Sequence, residues 1–249
     1  MNKVSIIIAN YNYGDMVVDA IKSALNQTYR CHVGIINDGS TDNSHNEIVS
    51  YIYSLSQATS IKPNIISNAN FTYINTENQG ASAARNTLIK RLWSSSDFFA
   101  ILDADDIYYP NKVEKLLAQM SDPNVGVVYG DYDIFQDGYI KREYKEPYSP
   151  SVLMQRCIVH SGALIRKSYL EKVLLENGDA YDVRLHGPLS KGFIGCTEDY
   201  DLWLRLSKVC IMKHVPESLS LVRMTGKNQS LKMTTEIFNE NAKILQQRI

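Results

Sequence analysis

The chain has 249 residues, and 44% of them are hydrophobic, enough apolar side chain to fill a sizeable core and to argue against disorder. Lys and Arg number 26 against 27 Asp and Glu, a formal net charge of -1, which excludes a general nucleic-acid binder, whose affinity rests on surplus positive charge. The four cysteines, Cys31, Cys157, Cys196 and Cys210, form no C-x-x-C pair, so neither a zinc site nor a disulfide framework is indicated and a reducing compartment fits.

From the start, MNKVSIIIANYN has one lysine and an apolar run from Val4 that Asn10 cuts short, too brief for a signal-peptide core. No stretch approaches the roughly 18 to 20 apolar residues that span a bilayer. A soluble, cytoplasmic protein is expected, and peripheral membrane contact stays compatible with it. Lys3 to Ala9 reads as a buried strand, followed by turn residues and a helix through Asn26 with Val17, Ala20, Ile21, Ala24 and Leu25 on one face. The rhythm repeats: strand His32 to Ile36, helix Ser44 to Ser56, strand Phe71 to Asn75, helix Ala81 to Trp93, strand Phe98 to Leu102, and a helix from Pro110 through Met120. Such alternation predicts an α/β fold with a mostly parallel sheet and helices on both faces.

After about Asn124 the rhythm changes. Strands are expected over Val125 to Ile134 and Tyr139 to Tyr144 around an Asp137-Gly138 turn, and over Ser161 to Arg166. An irregular crossing is expected at Lys145 to Pro150, a loop over Asn177 to Gly195, a helix over Glu198 to Ser207 and another over Thr234 to Ile249. No linker or repeat intervenes, so residues 1–249 read as one domain, with halves at 1–124 and 125–249.

In such sheets ligands collect beyond the carboxyl ends of the strands. Three polar clusters fall there: Asn10 to Asn12, Asn37 to Asp42 and Asp103 to Asp106. Asp103-Ala104-Asp105-Asp106 packs three mutually repelling carboxylates into four residues, a conflict that Mg2+ or Mn2+ resolves, while Ala104 leaves room near the backbone. In an extended segment Asp103 and Asp105 point the same way. A solvated loop with Asp106 capping the next helix is the alternative. Asp38 can accept a hydrogen bond from a nucleobase, and Tyr11 can stack on one between the amides of Asn10 and Asn12. Arg85, in the small-residue helix start after Gly80, can meet a diphosphate or sit in a salt bridge. Glu198 and Asp199 open a helix, where acids favour the dipole, and Asp199 can also serve as a general base. The histidines His32, His45, His160, His186 and His214 form no metal-spaced pair and read as structural or surface, with His186 in a loop the one to watch. No P-loop or G-x-S-x-G elbow occurs, and the sequons at Asn26, Asn70 and Asn228 carry no weight without a secretion signal.

Taken in order, VSIIIANYN, LNQTY, IINDGSTDNS, NQGASAARN, ILDADDIYYP and TEDYDLWLRL resemble the family 2 glycosyltransferases of GT-A fold, across about four fifths of the chain. The resemblance implies inverting transfer of a sugar from a nucleotide-diphosphate donor, a UDP-sugar by preference, to a hydroxyl of a glycan, lipid-linked or other acceptor. It implies that Tyr11 and Asp38 hold the base, that Asn10, Asn12 and Arg85 help bind the nucleotide, and that Asp103 and Ala104 lie by the ribose and diphosphate. It further implies Asp105 as the metal ligand, Asp199 as catalytic base with Glu198 beside it, and Ser161-Gly162 near the donor sugar or acceptor. Asn10 and Asn37 depart from the common pattern, and Thr225 stands where relatives often place a histidine near the metal. The processive Q-x-x-R-W signature is absent, which favours transfer of single sugars. Two rivals stay open: nucleotidyl transfer to a sugar phosphate, disfavoured because Asn10 to Gly14 is not a Gly-rich basic loop, and a non-catalytic sugar-nucleotide or glycan-binding module.

Overall fold

In a computed structural model of the chain, which describes residues 2–55, 60–62, 64–185, 197–226, 228 and 235–247, the expected rhythm of the first half is realised in order. β1 (Val4–Asn10) leads into α1 (Val17–Leu25), and β2 (His32–Asp38) into α2 (Ser44–Ser54). A short hairpin, β3 (Ser60–Lys62) and β4 (Ile65–Ser67), precedes β5 (Phe71–Thr76) and α3 (Ala81–Leu92). β6 (Phe98–Ile101), β7 (Ile107–Tyr108) and α4 (Lys112–Ala118) follow. Then come β8 (Val125–Gln136), β9 (Tyr139–Glu143), α5 (Pro150–Leu153), β10 (Leu164–Arg166), α6 (Lys167–Leu170), α7 (Glu198–Ser207), β11 (Ile211–Arg223) and α8 (Thr235–Gln247).

All of these strands belong to one sheet in the order β3-β4-β5-β2-β1-β6-β10-β8-β11-β7, with β9 against the far end of β8. β5, β2, β1 and β6 are parallel neighbours, and β8 and β11 pair in parallel, whereas β4, β10 and β7 run antiparallel to their neighbours. The sheet is therefore mixed and mostly parallel. Period-2 alternation divides its apolar side chains between two cores. Ile7, Ile36, Phe99 and Ile101 face α3 and α7, while Ile6, Ile8, Val33, Ile35 and Ala100 face α1, α2 and α4. From β1 the chain builds outward to β2 and β5, then returns to place β6 on the other side of β1. That reversal opens a crevice at the carboxyl ends of β1 and β6.

Several boundaries differ from expectation, each for a local reason. The strand expected from Ser161 begins only at Leu164, because Ala163 N donates to His160 O in a turn. The helix expected from Pro110 starts at Lys112, and Pro110 O accepts instead from Thr28 N. β11 was not foreseen: Pro216-Glu217 interrupts its alternation, and its register against β8 shifts between Val215 and Ser218 and again before Leu221. His186, Cys196, Thr234 and Ile249 lie outside the described residues. No helix among the described residues is long and apolar enough to cross a membrane.

Asn86 ties α3 to the later half of the chain. Its Oδ1 accepts from Ala180 N (3.1 Å) and Tyr181 N (2.9 Å), and its Nδ2 donates to Tyr181 O (2.8 Å), all in a buried setting. Asn86→Ala strands three backbone groups without partners or water, so a loss of about 2–4 kcal/mol in unfolding free energy is expected, read from the urea midpoint at unchanged slope.

Candidate active site

The strand-end clusters meet in one cavity of about 600 Å³ beyond β1, β2 and β6, closed on its other side by residues of the later half. Each acid of Asp103 to Asp106 meets a different environment. The segment is a turn, with Asp106 N donating to Asp103 O at 3.0 Å, so the three carboxylates diverge instead of alternating as in an extended strand. Asp103 accepts from Arg85 Nη2 at 2.8 Å and from Ser161 Oγ at 3.3 Å. Asp105, 7% exposed, accepts from Asn228 Nδ2 at 2.9 Å and faces Tyr13. Asp106 turns inward, where its Oδ1 accepts from Arg223 N at 3.1 Å. Ala104 is buried in the cavity wall between them.

Burial and the charge of Asp103 push the Asp105 carboxyl up to about 6, and burial with both neighbouring acids holds Asp106 well above the carboxylate range. Lys112 answers Asp106 from below: 2% exposed, it donates to Ser220 Oγ at 3.3 Å and lies 3.9 Å from the Tyr108 ring centroid. Burial lowers its own pKa to about 7 against the pull of Asp106 and Asp103. Gly162 belongs to this packing and not to the cavity lining, since a Cβ there would stand 2.8 Å from Lys112 Nζ. Ser161, beside it, lines the cavity.

Arg85 projects from α3 between two groups of acids. Besides Asp103, its Nη1 meets Glu198 Oε1 at 2.9 Å and Asp199 Oδ1 at 3.6 Å, with the guanidinium 5.4 Å from the Tyr181 ring centroid. Burial opposes its charge, but Asp199, Asp103 and Glu198 together prevail and hold its proton well above the ordinary arginine range. The salt-bridge role thus accounts for the placement of Arg85. Glu198 is buried at the start of α7, whereas the Asp199 side chain keeps 20% exposure toward the cavity.

On the opposite flank Asp38 accepts from Gln79 N (2.9 Å) and Gly80 N (2.8 Å), fastening β2 to the start of α3. A carboxylate offers about four lone-pair directions, so these two bonds leave capacity for a ligand. Gly39, at φ 67°, is required there because a Cβ would fall 2.4 Å from Asn78 N. Tyr11, 47% exposed, sits at the cavity rim. Asn10 is buried, donates to Asn37 Oδ1 and Ser40 Oγ, and has an Oδ1 without a partner among the described residues. Asn12, at φ 61°, does not line the cavity; its Oδ1 accepts from Thr41 N and Asp42 N and holds the loop after β2.

Several lining residues escaped sequence reasoning: Tyr13, Tyr132, Lys145, His160 and Asn228. Thr225 bonds Asn228 Oδ1, which orients the Asn228 amide toward Asp105. Only the N-x-S triplet marked Asn228 in the sequence, and as a sequon it carried no weight. Among the described residues no set of three or more His, Cys, Asp or Glu side chains is arranged to hold a metal. The cavity nevertheless gathers six acidic side chains against two bases, Arg85 and Lys145, a balance that suits a cation better than a bare anion. Asp105, a buried carboxylate with hard oxygen donors, fits Mn2+ or Mg2+ as a single protein ligand.

The profile of "Glycosyl transferase family 2" matches residues 5–174. An uncharacterized glycosyltransferase of Rickettsia felis is 30% identical over 97% of this chain, and the chain spans 37% of that relative's length. The Escherichia coli protein named UDP-Glc:alpha-D-GlcNAc-diphosphoundecaprenol beta-1,3-glucosyltransferase WfgD is 28% identical over 82% of the chain and 70% of its own length. Among solved structures, S. aureus TarS 1–349 in complex with UDP-GlcNAc superposes with a TM-score of 0.68 at 14% identity, covering 98% of this chain and 65% of that one. The mannosyltransferase PcManGT of Pyrobaculum calidifontis, in complex with GDP-Man and Mn2+, gives 0.64 at 16% identity over 92% of this chain and 59% of that one. The fold is thus that of the GT-A glycosyltransferases, and the chain belongs to glycosyl transferase family 2.

Proposed function

We propose that this protein transfers a single hexose, with inversion, from a UDP-sugar to a hydroxyl of a glycan or lipid-linked acceptor in the cytoplasm. The observation that carries the reading is the convergence of Asp105 and Asp199 on one cavity, where Arg85 links Asp199 to Asp103, two residues before Asp105. A uridine donor is favoured by the names of the E. coli relative and of the TarS complex, while PcManGT marks guanosine as the other base a related fold accepts.

In this reading residues 1–124 bind the nucleotide. Tyr11 and Asp38 hold the base, Asn10 and Asn12 shape its loop, and Arg85, Asp103 and Ala104 flank the ribose and diphosphate. Residues 125–249 present the acceptor. Asp199 takes the proton of the acceptor hydroxyl as that oxygen attacks the anomeric carbon, and the bond to the diphosphate breaks on the other face, so configuration inverts. Glu198 and Asp103 take up the Arg85 charge at closer range than Asp199 does, which leaves Asp199 the less tightly held of the three acids. A divalent cation held by Asp105 would supply Lewis-acid stabilisation of the leaving diphosphate.

Asp199→Asn should lower kcat by about 10²–10⁴ while calorimetric affinity for UDP with Mn2+ is retained; full turnover in that variant rules out Asp199 as the base. A second test uses Asp105. Its carboxyl is held at about 6 against an ordinary 3.8, so the folded state binds that proton more tightly, and stability is lost as pH rises between those values. Asp105→Asn should therefore raise the metal-free Tm at neutral pH, by the equivalent of about 3 kcal/mol, with the advantage vanishing near pH 4. The same variant should lose the additional thermal stabilisation that Mn2+ gives the wild-type protein in the presence of UDP, an effect expected from selective binding to the native state.

A further inference from the structure

We propose that Nε2–H of His160 donates a hydrogen bond to a hydroxyl oxygen of the donor's hexose, and so helps select which sugar is transferred. The role rests on the sugar-nucleotide reading above. Its starting point is the tautomer. Nδ1 of His160 lies 3.0 Å from Gly162 N, a backbone group that can only donate, so Nδ1 carries the lone pair and the ring proton resides on Nε2. The ring is held against Tyr132, with centroids 4.4 Å apart and planes at 37°, and it lines the cavity that contains Asp105 and Asp199. Among the described residues no group accepts from Nε2.

The charged groups around the ring define the matching ligand. Burial first, then the cations of Lys112 and Lys145, hold the imidazole well below its ordinary pKa, so it meets a ligand as a neutral donor. A neutral N–H matches a sugar hydroxyl oxygen, while the strongest phosphate contacts are charge-assisted. The adjacent residue sets the side of the site: Ser161 Oγ donates to Asp103 Oδ2 at 3.3 Å, which ties the His160–Gly162 turn to the acid assigned to the donor. The pocket therefore offers one fixed donor, on a ring unable to rotate without giving up the Gly162 bond.

Two variants separate ligand contact from packing. In His160→Asn, Oδ1 can keep the Gly162 bond but nothing reaches the Nε2 position; in His160→Gln the amide nitrogen does. Calorimetry with Mn2+ would compare UDP with UDP-glucose, UDP-galactose and UDP-N-acetylglucosamine. His160→Asn should weaken the UDP-hexose that wild type binds best by about three- to tenfold, the value of one neutral hydrogen bond, with affinity for UDP unchanged and His160→Gln recovering most of the loss. ¹⁵N spectra of the wild-type ring should carry the Nε2–H pattern. Equal weakening of UDP and UDP-hexose, no weakening of either, or an Nδ1–H spectrum overturns the proposal. Wild-type protein that binds none of the four nucleotides overturns the sugar-nucleotide reading itself, and this role with it.

Discussion

Arg85 reaches from α3 to Asp103 on one side and to Glu198, 113 residues further along the chain, on the other, with Asp199 just beyond at 3.6 Å. In a buried setting such a cation is a weak source of net stability, because desolvation consumes most of the Coulombic gain. Its importance lies in what its loss would leave behind: three carboxylates crowded without compensation at the mouth of a cavity. The strand-end acids and the start of α7 are held in one constellation by this side chain, and the rest of the site is arranged around its geometry. Its charge is committed to protein acids, so an incoming diphosphate would have to share it.

The turn at Asp103 to Asp106 resolves a crowding problem by direction. One acid faces Arg85, one faces the cavity, and one is driven inward onto Arg223 N above the buried Lys112. Divergence reduces mutual repulsion without removing it, as the raised pKa of Asp105 records. Asp105 keeps hydrogen-bond partners in Asn228 and Tyr13, so what stays incompletely offset there is charge and not hydrogen bonding.

Much of this was legible in residue order. Runs such as Val4 to Ala9 and Phe98 to Leu102 are short, apolar and followed by polar clusters, so both the strands and the ends that carry Asp38, Asp103 and Asp105 could be placed. Asp199 was legible because a pair of acids heads an amphipathic helix. Residues without a pattern were not: Tyr13, His160 and Asn228 matter through contacts made after folding, and no spacing announces them. Arg85 was read as a diphosphate contact with a salt bridge as its alternative, and only tertiary placement reveals how many acids surround it. β11 stayed hidden because its register shifts around Pro216 break the period-2 signal on which strand reading depends.

β11 also bears on the order in which the molecule is made. Arg223, at its end, braces the acid turn by donating from its backbone to Asp106, 117 positions earlier, and its guanidinium reaches back to Asp19 and Met16 O near the beginning of α1. During vectorial synthesis the first four parallel strands can pair before the later half has emerged, and Arg85 can already hold Asp103, yet the Asp106 side of the turn lacks its Arg223 brace until residue 223 emerges. A nascent chain would thus hold much of its sheet before the acid turn is fastened from its far side, and that fastening comes with β11.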